Sequence, residues 1–445
     1  MSRKWLIAVP IILVLILLCV LMLAIVLTTV PRLNLADGFH VNLQFGNIQA
    51  EQTDVYSYTL TNSTALVTLT VDNPCGAAIV TADSEHGREI QLSVRKRAYG
   101  LNQKAAEAEL AKIKVSASQE ENTLSLGIQD ADQVCKEIIN NSPHIDFTIQ
   151  VPKNTLVNVK TRLGEASLSG VDTSSAGEPS ELRSDFGDVK ASQITGGLKA
   201  KTQNGNIAVH DVQAGEQDIS LTTSFGDTRL EDSSGAHLDI KTENGTARLD
   251  NVKITGDSKI QSSFGDLTWI NGKSQSLVIE SKNGVVTMRD LDIDKGIKAD
   301  SEFGDIRLYQ VKSTSTSATT LNGKIDIQGA SGKIRAKSDF GGISITQAEQ
   351  VDFDLTSKNG SILFQGSLGN GPHQASSQFG EIRLQLPAMA AFNFDLQTSF
   401  GAISSDFKVA TAGTPSSTHW VGAVNGGGPL VTAVTQNGDL KLEVK

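Results

Sequence analysis

The chain has 445 residues, room for two or three ordinary domains or one long repetitive array. With 39% hydrophobic and 20% charged residues its composition is not that of a disordered chain, and 40 glycines against 10 prolines predict many tight turns. The net charge of −10 argues against nucleic acid or anionic lipid as the principal partner.

Residues 1–32 read as a short cytoplasmic N-terminus and a transmembrane anchor. Leu6 to Val30 form an uncharged run of 25 residues. As a helix it would be about 37 Å long, enough to cross a hydrocarbon core of about 30 Å. A cleaved signal peptide has a shorter apolar region and a small-residue cleavage site, which "TTVPRLNLADG" lacks. Arg3 and Lys4 before the run predict the N-terminus inside and the rest of the chain extracytoplasmic. Cys19 lies in the anchor. Cys75 and Cys135 lie on the exported side, and either form a disulfide or are two buried thiols.

Residues 33–150 predict a β-rich N-terminal cap. "VNLQFGNIQA" (Val41 to Ala50) resembles one coil of the later repeat, "ALVTLTV" (Ala65 to Val71) alternates as a strand, and Gln103 to Ala111 suits a short helix.

Residues 151–407 repeat. Phe-Gly turns at Phe186, Phe225, Phe264, Phe303, Phe340 and Phe379 recur about every 39 residues, and Phe400 follows. Asn-Gly turns at Asn204, Asn244, Asn283, Asn322 and Asn359 fall midway between them. A period of 39 alone would suit a propeller blade, but a blade has no reason to repeat its first half in its second. The spacing therefore predicts an all-β parallel β-solenoid of about 20 residues per coil, its coils alternating in Phe-Gly/Asn-Gly pairs. Two residues before every turn Phe or Asn stands a serine or threonine, from Ser184 and Thr202 to Thr398 and Thr435. Strand parity places this hydroxyl column and the turn residues on the inward face, the hydroxyls bonding one another or backbone carbonyls. Glycine after the turn residue would supply a positive φ. Two accounts of the Phe/Asn alternation stand: a corner too narrow for a ring on every coil, or descent from a duplicated pair. Residues 408–429, rich in Gly, Ser and Thr, read as a loop, and residues 430–445 as a coil closing the C-terminal end.

No residue set specifies catalysis. The aspartates after Phe-Gly (Asp188, Asp227, Asp266, Asp305) recur every second coil, about 9–10 Å apart, too far to share a Ca²⁺. They read as solvated turn carboxylates. Asp290, Asp292 and Asp294 nearly spell a calcium loop, but its glycine comes late and Ser301 stands where a glutamate belongs. They read as an ordinary strand, with weak Ca²⁺ binding the alternative. "NGKS" (Asn271 to Ser274) lacks the upstream glycine of a phosphate loop, and the histidines show no paired metal spacing. No catalytic residue, metal or cofactor is therefore expected.

The phrase S/T-x-[F/N]-G-x-[I/V]-x-[L/V], the entry "IDFTIQVPKNTLVNVKTRLGEASLSG" and "FHVNLQFGNIQA" resemble the bacterial putative adhesin family of β-strand repeats, a domain of unknown function. The resemblance covers Leu33 to Lys445. It implies a surface or envelope protein, with some relatives looking like sensors of envelope stress. The expectation is a non-enzymatic, single-pass membrane protein of the cell membrane, adhesin-like, touching an envelope, cell-wall or protein partner and no nucleic acid. The alternative is a regulatory ectodomain working through a membrane partner. A carbohydrate-active β-helix enzyme is a third reading, which a carboxylate pair in a groove would support.

Overall fold

The computed structural model describes residues 48–60, 65–83, 89–135, 142–414 and 416–445. Among these, no helix is long and apolar enough to cross a membrane; the Leu6–Val30 run lies outside the described residues, as does most of "VNLQFGNIQA".

Each coil opens with a strand of strict alternation. In Leu238–Asn244, Leu238, Ile240 and Thr242 are buried while Asp239, Lys241 and Glu243 point to solvent. Ile219–Phe225 and Asp257–Phe264 flank it in parallel and in register, so Leu221, Ile240 and Ile260 stack along the axis. After the turn a second strand, such as Ala247–Ile254, stacks in parallel between Thr228–Glu231 and Leu267–Ser274. Repeated along the chain, these pairings make a parallel β-solenoid whose core is filled by the inward-facing residues of both strands, mostly Val, Ile, Leu and Ala.

The hydroxyl column is buried throughout and bonds to carbonyls of the glycine turns. Ser184 donates to Gly164 O (2.8 Å), Thr202 to Gly187 O (2.9 Å), Thr320 to Gly304 O (3.0 Å) and Ser357 to Gly341 O (3.0 Å). One direct hydroxyl pair joins Thr242 to Ser262 at 3.2 Å. The glycines themselves stack, and a Cβ on any of Gly205, Gly226, Gly245, Gly265, Gly284 or Gly304 would overlap the carbonyl of the preceding turn glycine. This close approach is what the position requires. A φ between +143° and +152° occurs at Gly164, Gly226 and Gly265 but is not common to the column, so the expected positive φ is not the general reason for glycine.

A second corner was not anticipated. Four residues after the start of most second strands stands a polar residue in the left-handed region: Gln193, Asp211, Asp232, Asn251, Asn271, Asp290, Gln310 and Gln347, with φ between 48° and 55°. Gly170 and Gly329 take the same place in two other coils, with φ of 79° and 73°. Asn and Asp tolerate this conformation better than other non-glycine residues. The kink resets the parity, so that in Ile207–Gln213 both Val209 and Val212 point inward.

Both ends depart from chain order. Val67–Asn73 and Ala78–Ala82 form a coil directly beneath the first regular one, pairing with Thr155–Leu163 and Ala166–Ser169. Beyond it the cap adds Thr123–Ile128 and His144–Val151, and then antiparallel strands, ending in Ile48–Thr59. The helix spans Gln103–Leu110, with the Asn102 side chain accepting from Ala105 N (2.8 Å). At the other end, Leu430–Asn437 does not close the stack. It lies between His373–Phe379 and Phe392–Phe400, parallel to both. The segment read as a loop holds Val409–Thr411 and His419–Val424. These form an antiparallel hairpin that pairs with Phe392–Phe400 and so covers the edge of the last coil.

Candidate contact surface

The turn phenylalanines are on the outside. Phe186, Phe225, Phe264, Phe303, Phe340, Phe379 and Phe400 are between 48% and 75% exposed. Every other described phenylalanine (Phe147, Phe353, Phe364, Phe392, Phe394, Phe407) is buried. The turn asparagines Asn204, Asn244, Asn283, Asn322 and Asn359 are exposed as well. The inward placement expected from strand parity is therefore wrong. The hydroxyl column and the glycine carbonyls already close the core at the corner, and the side chain that follows has no interior left to enter. The account in which a narrow internal corner forces large and small residues to alternate falls with it.

Phe and Asn alternate in space as one column. Phe186, Asn204, Phe225, Asn244 and Phe264 are successive cross-strand partners. Backbone bonds carry the succession onward through Asn283, Phe303, Asn322, Phe340, Asn359 and Phe379. With coils about 4.8 Å apart, successive rings recur roughly every 9–10 Å.

Acidic residues flank the rings. Two residues beyond the turn Phe, Asp188, Asp227, Asp266 and Asp305 each use Oδ1 to accept the amide of the first residue after the next turn glycine. The donors are Asn206, Thr246, Val285 and Lys324, all at 2.8 Å. These carboxylates are structural acceptors at the corner, more than the solvated groups the sequence suggested. The signal for it was their recurrence on alternate coils. On the other side of the rings stand Asp185, Glu243, Glu302 and Asp339, with Lys282 and Lys358. An open groove of about 490 Å³ runs beside this part of the column, lined among others by Gln261, Ser263, Glu280, Lys282 and Glu302.

The other sequence candidates do not assemble a site. Asp290 forms the second corner of its coil, and Asp294 faces Lys273 at 3.6 Å. Among the described residues no group of three His, Cys, Asp or Glu stands close enough to hold a metal ion. In "NGKS", Asn271 is again a second corner and the Ser274 hydroxyl donates to Gly256 O (2.9 Å). Cys75 and Cys135 are joined in a disulfide with Cα atoms 5.6 Å apart. Cys75 immediately precedes the stacked Gly76, so it occupies the turn-residue position of the lowest coil, and the bridge ties that coil to the cap. Sequence reasoning missed His373, which is fully buried against Phe353 (ring centroids 4.9 Å) with neither ring nitrogen hydrogen-bonded. Burial lowers its pKa below the usual imidazole value, and Asp352 partly opposes the shift.

Among solved structures, the chain is similar to a putative cell adhesion protein from Clostridium sporogenes ATCC 15579. The identity is 9% and the TM-score 0.18, over 88% of this chain and 100% of that one. It is also similar to a putative adhesin from Bacteroides fragilis NCTC 9343, at 13% identity and a TM-score of 0.18, over 88% of this chain and 97% of that one. No curated protein matches the chain. A family model, Toastrack DUF4097, matches residues 77–277 and again 270–443, together most of the solenoid and its cap. The chain thus belongs to the Toastrack DUF4097 family, a domain of unknown function.

Proposed function

We propose that this chain is a non-enzymatic, adhesin-like surface protein that acts by contact through its column of turn phenylalanines. The apolar run Leu6–Val30 would hold it in the cell membrane, with the solenoid on the extracytoplasmic side. The exposed aromatic column carries the reading. Seven rings left in water on a scaffold that buries every other described phenylalanine, spaced by asparagines in one straight column, are an ordered aromatic array of the residue type enriched at interaction surfaces. Parallel stacking fixes their spacing without loop entropy, so a repetitive partner would meet a preorganised array.

The test is to express the full chain in a bacterium and compare it with a variant carrying Phe225→Asn, Phe264→Asn and Phe303→Asn. Asn is the residue that the same corner uses on alternate coils, so the fold should be retained. The expected results are resistance to carbonate extraction, protease access from outside the membrane, and adhesion to envelope preparations that the variant loses. Equal adhesion by the two proteins would contradict the reading, and release by carbonate would contradict the anchor.

A further inference from the structure

We propose that the phenylalanine column binds a basic, proline-rich segment in polyproline II conformation, laid along the solenoid axis. Prolines would sit on the rings and Lys or Arg beside the flanking carboxylates. The inference rests on the reading of the column as a contact surface and names the chemistry of its occupant.

Pitch is the first argument. Rings recur every second coil, roughly 9.4–9.8 Å given a strand spacing of about 4.7–4.9 Å. A polyproline II helix repeats every three residues at about 3.1 Å each, about 9.3 Å, so one of its edges meets a ring at every turn. An α-helix repeats at about 5.4 Å and a strand places same-face side chains about 6.6–6.8 Å apart, so neither keeps step with the column. The accumulated mismatch over the seven rings is only about 2 Å for polyproline II.

Hydrogen bonding is the second. A polyproline II backbone makes no internal hydrogen bonds, and its carbonyls need donors. Between successive rings stand the exposed amides of Asn204, Asn244, Asn283 and Asn322, at the same pitch as the rings; Asn283 spends one of its two N–H groups on Ser263 O (3.4 Å) and keeps the other. Charge is the third. From Phe225 to Phe303 the column is bordered by Asp227, Glu243, Asp266, Glu302 and Asp305 against Lys282 and Arg307, the latter paired with Asp305 at 2.9 Å, which leaves an acidic excess. This favours a cationic segment and disfavours an anionic polymer. Both surfaces are stiff before they meet, which limits the entropy lost on binding.

The experiment uses the full chain in membrane nanodiscs and a fluorescent peptide of about 21 residues repeating Pro-Pro-Lys, long enough at about 3.1 Å per residue to span the column. A repeating Ala-Ala-Lys peptide of equal length and charge and a soluble neutral β-linked glucan are measured beside it. Saturable binding of the proline peptide is expected, with affinity at least roughly tenfold lower for the Ala-Ala-Lys peptide and for the Phe225→Asn, Phe264→Asn, Phe303→Asn variant. Glu243→Gln with Glu302→Gln, which leaves the rings intact, should weaken binding and reduce its salt dependence. Equal binding of the two peptides, or a proline peptide indifferent to the ring variant, would overturn the proposal. Ring-dependent binding of the glucan with none of the peptide would also overturn it, while leaving the contact reading standing. Loss of adhesion by the parent chain itself would remove that reading instead.

Discussion

Asn437 lies between Phe379 and Phe400, the cross-strand partner of both, although it follows Phe400 by 37 positions in the sequence. Phe379 and Phe400 stand in successive segments with no Asn-Gly turn between them, so the order along the chain breaks the alternation here. Inserting Leu430–Asn437 between their strands restores it in space. Alternation of ring and amide is thus a property of the assembled surface and not only of the order in which coils were copied.

The exposed position of the rings reverses a stability expectation. A buried phenylalanine truncated in a core costs about 3–5 kcal/mol. Phe264, 56% exposed, should instead tolerate Phe264→Asn with a change within about 0.5 kcal/mol, measured by denaturant unfolding. Asn283→Phe should be similarly mild, because its side chain also faces solvent.

The turn glycines should be far less tolerant. Gly284→Ala places a methyl into the carbonyl of Gly265 and should destabilise by about 1–3 kcal/mol or more. Gly177→Ala, where a Cβ meets nothing within 4 Å, is the control and should be near neutral in the same assay.

The hydroxyl column makes its own prediction. Thr320 Oγ1 donates to Gly304 O and accepts from Gly323 N, both at 3.0 Å. Thr320→Val keeps the shape and leaves two buried backbone groups unpaired, which should cost about 1–3 kcal/mol. Thr319→Val on the outward face should cost little by comparison.

His373 should make stability depend on pH. Burial lowers its folded-state pKa, so below about 6.5 the unfolded chain takes up a proton before the folded one does. Its contribution is present above that pH and is lost as pH falls toward the folded value, with a slope of at most about 1.4 kcal/mol per pH unit. His373→Leu should flatten this part of the profile in urea melts between pH 7 and 5; an unchanged slope would show that other groups set it.

Much of the fold was legible because the repeat is written residue by residue. The hydroxyl two places before each turn, the glycine after it and the inward Val, Ile and Leu of both strands follow from strand parity and period alone. Parity failed at Phe and Asn because it assumes that the interior continues to the end of the strand, whereas the glycine backbone ends it one position earlier. The second corner was hidden because Asp211, Asn251 and Gln310 share a backbone conformation but not an identity. The lowest coil and the penultimate one were hidden for a topological reason. Val67–Asn73 and Leu430–Asn437 join the stack beside strands remote in sequence, and no local pattern records that.

The central claim is that the turn-phenylalanine column is where this protein meets its partner. A photo-cross-linking phenylalanine analogue placed at Phe264 tests it directly in intact cells, with the analogue at Arg229, exposed on the second strand, as the reference position. The account predicts a discrete adduct from position 264 and none from position 229. Adducts of equal yield from both positions, or from position 229 alone, would contradict it.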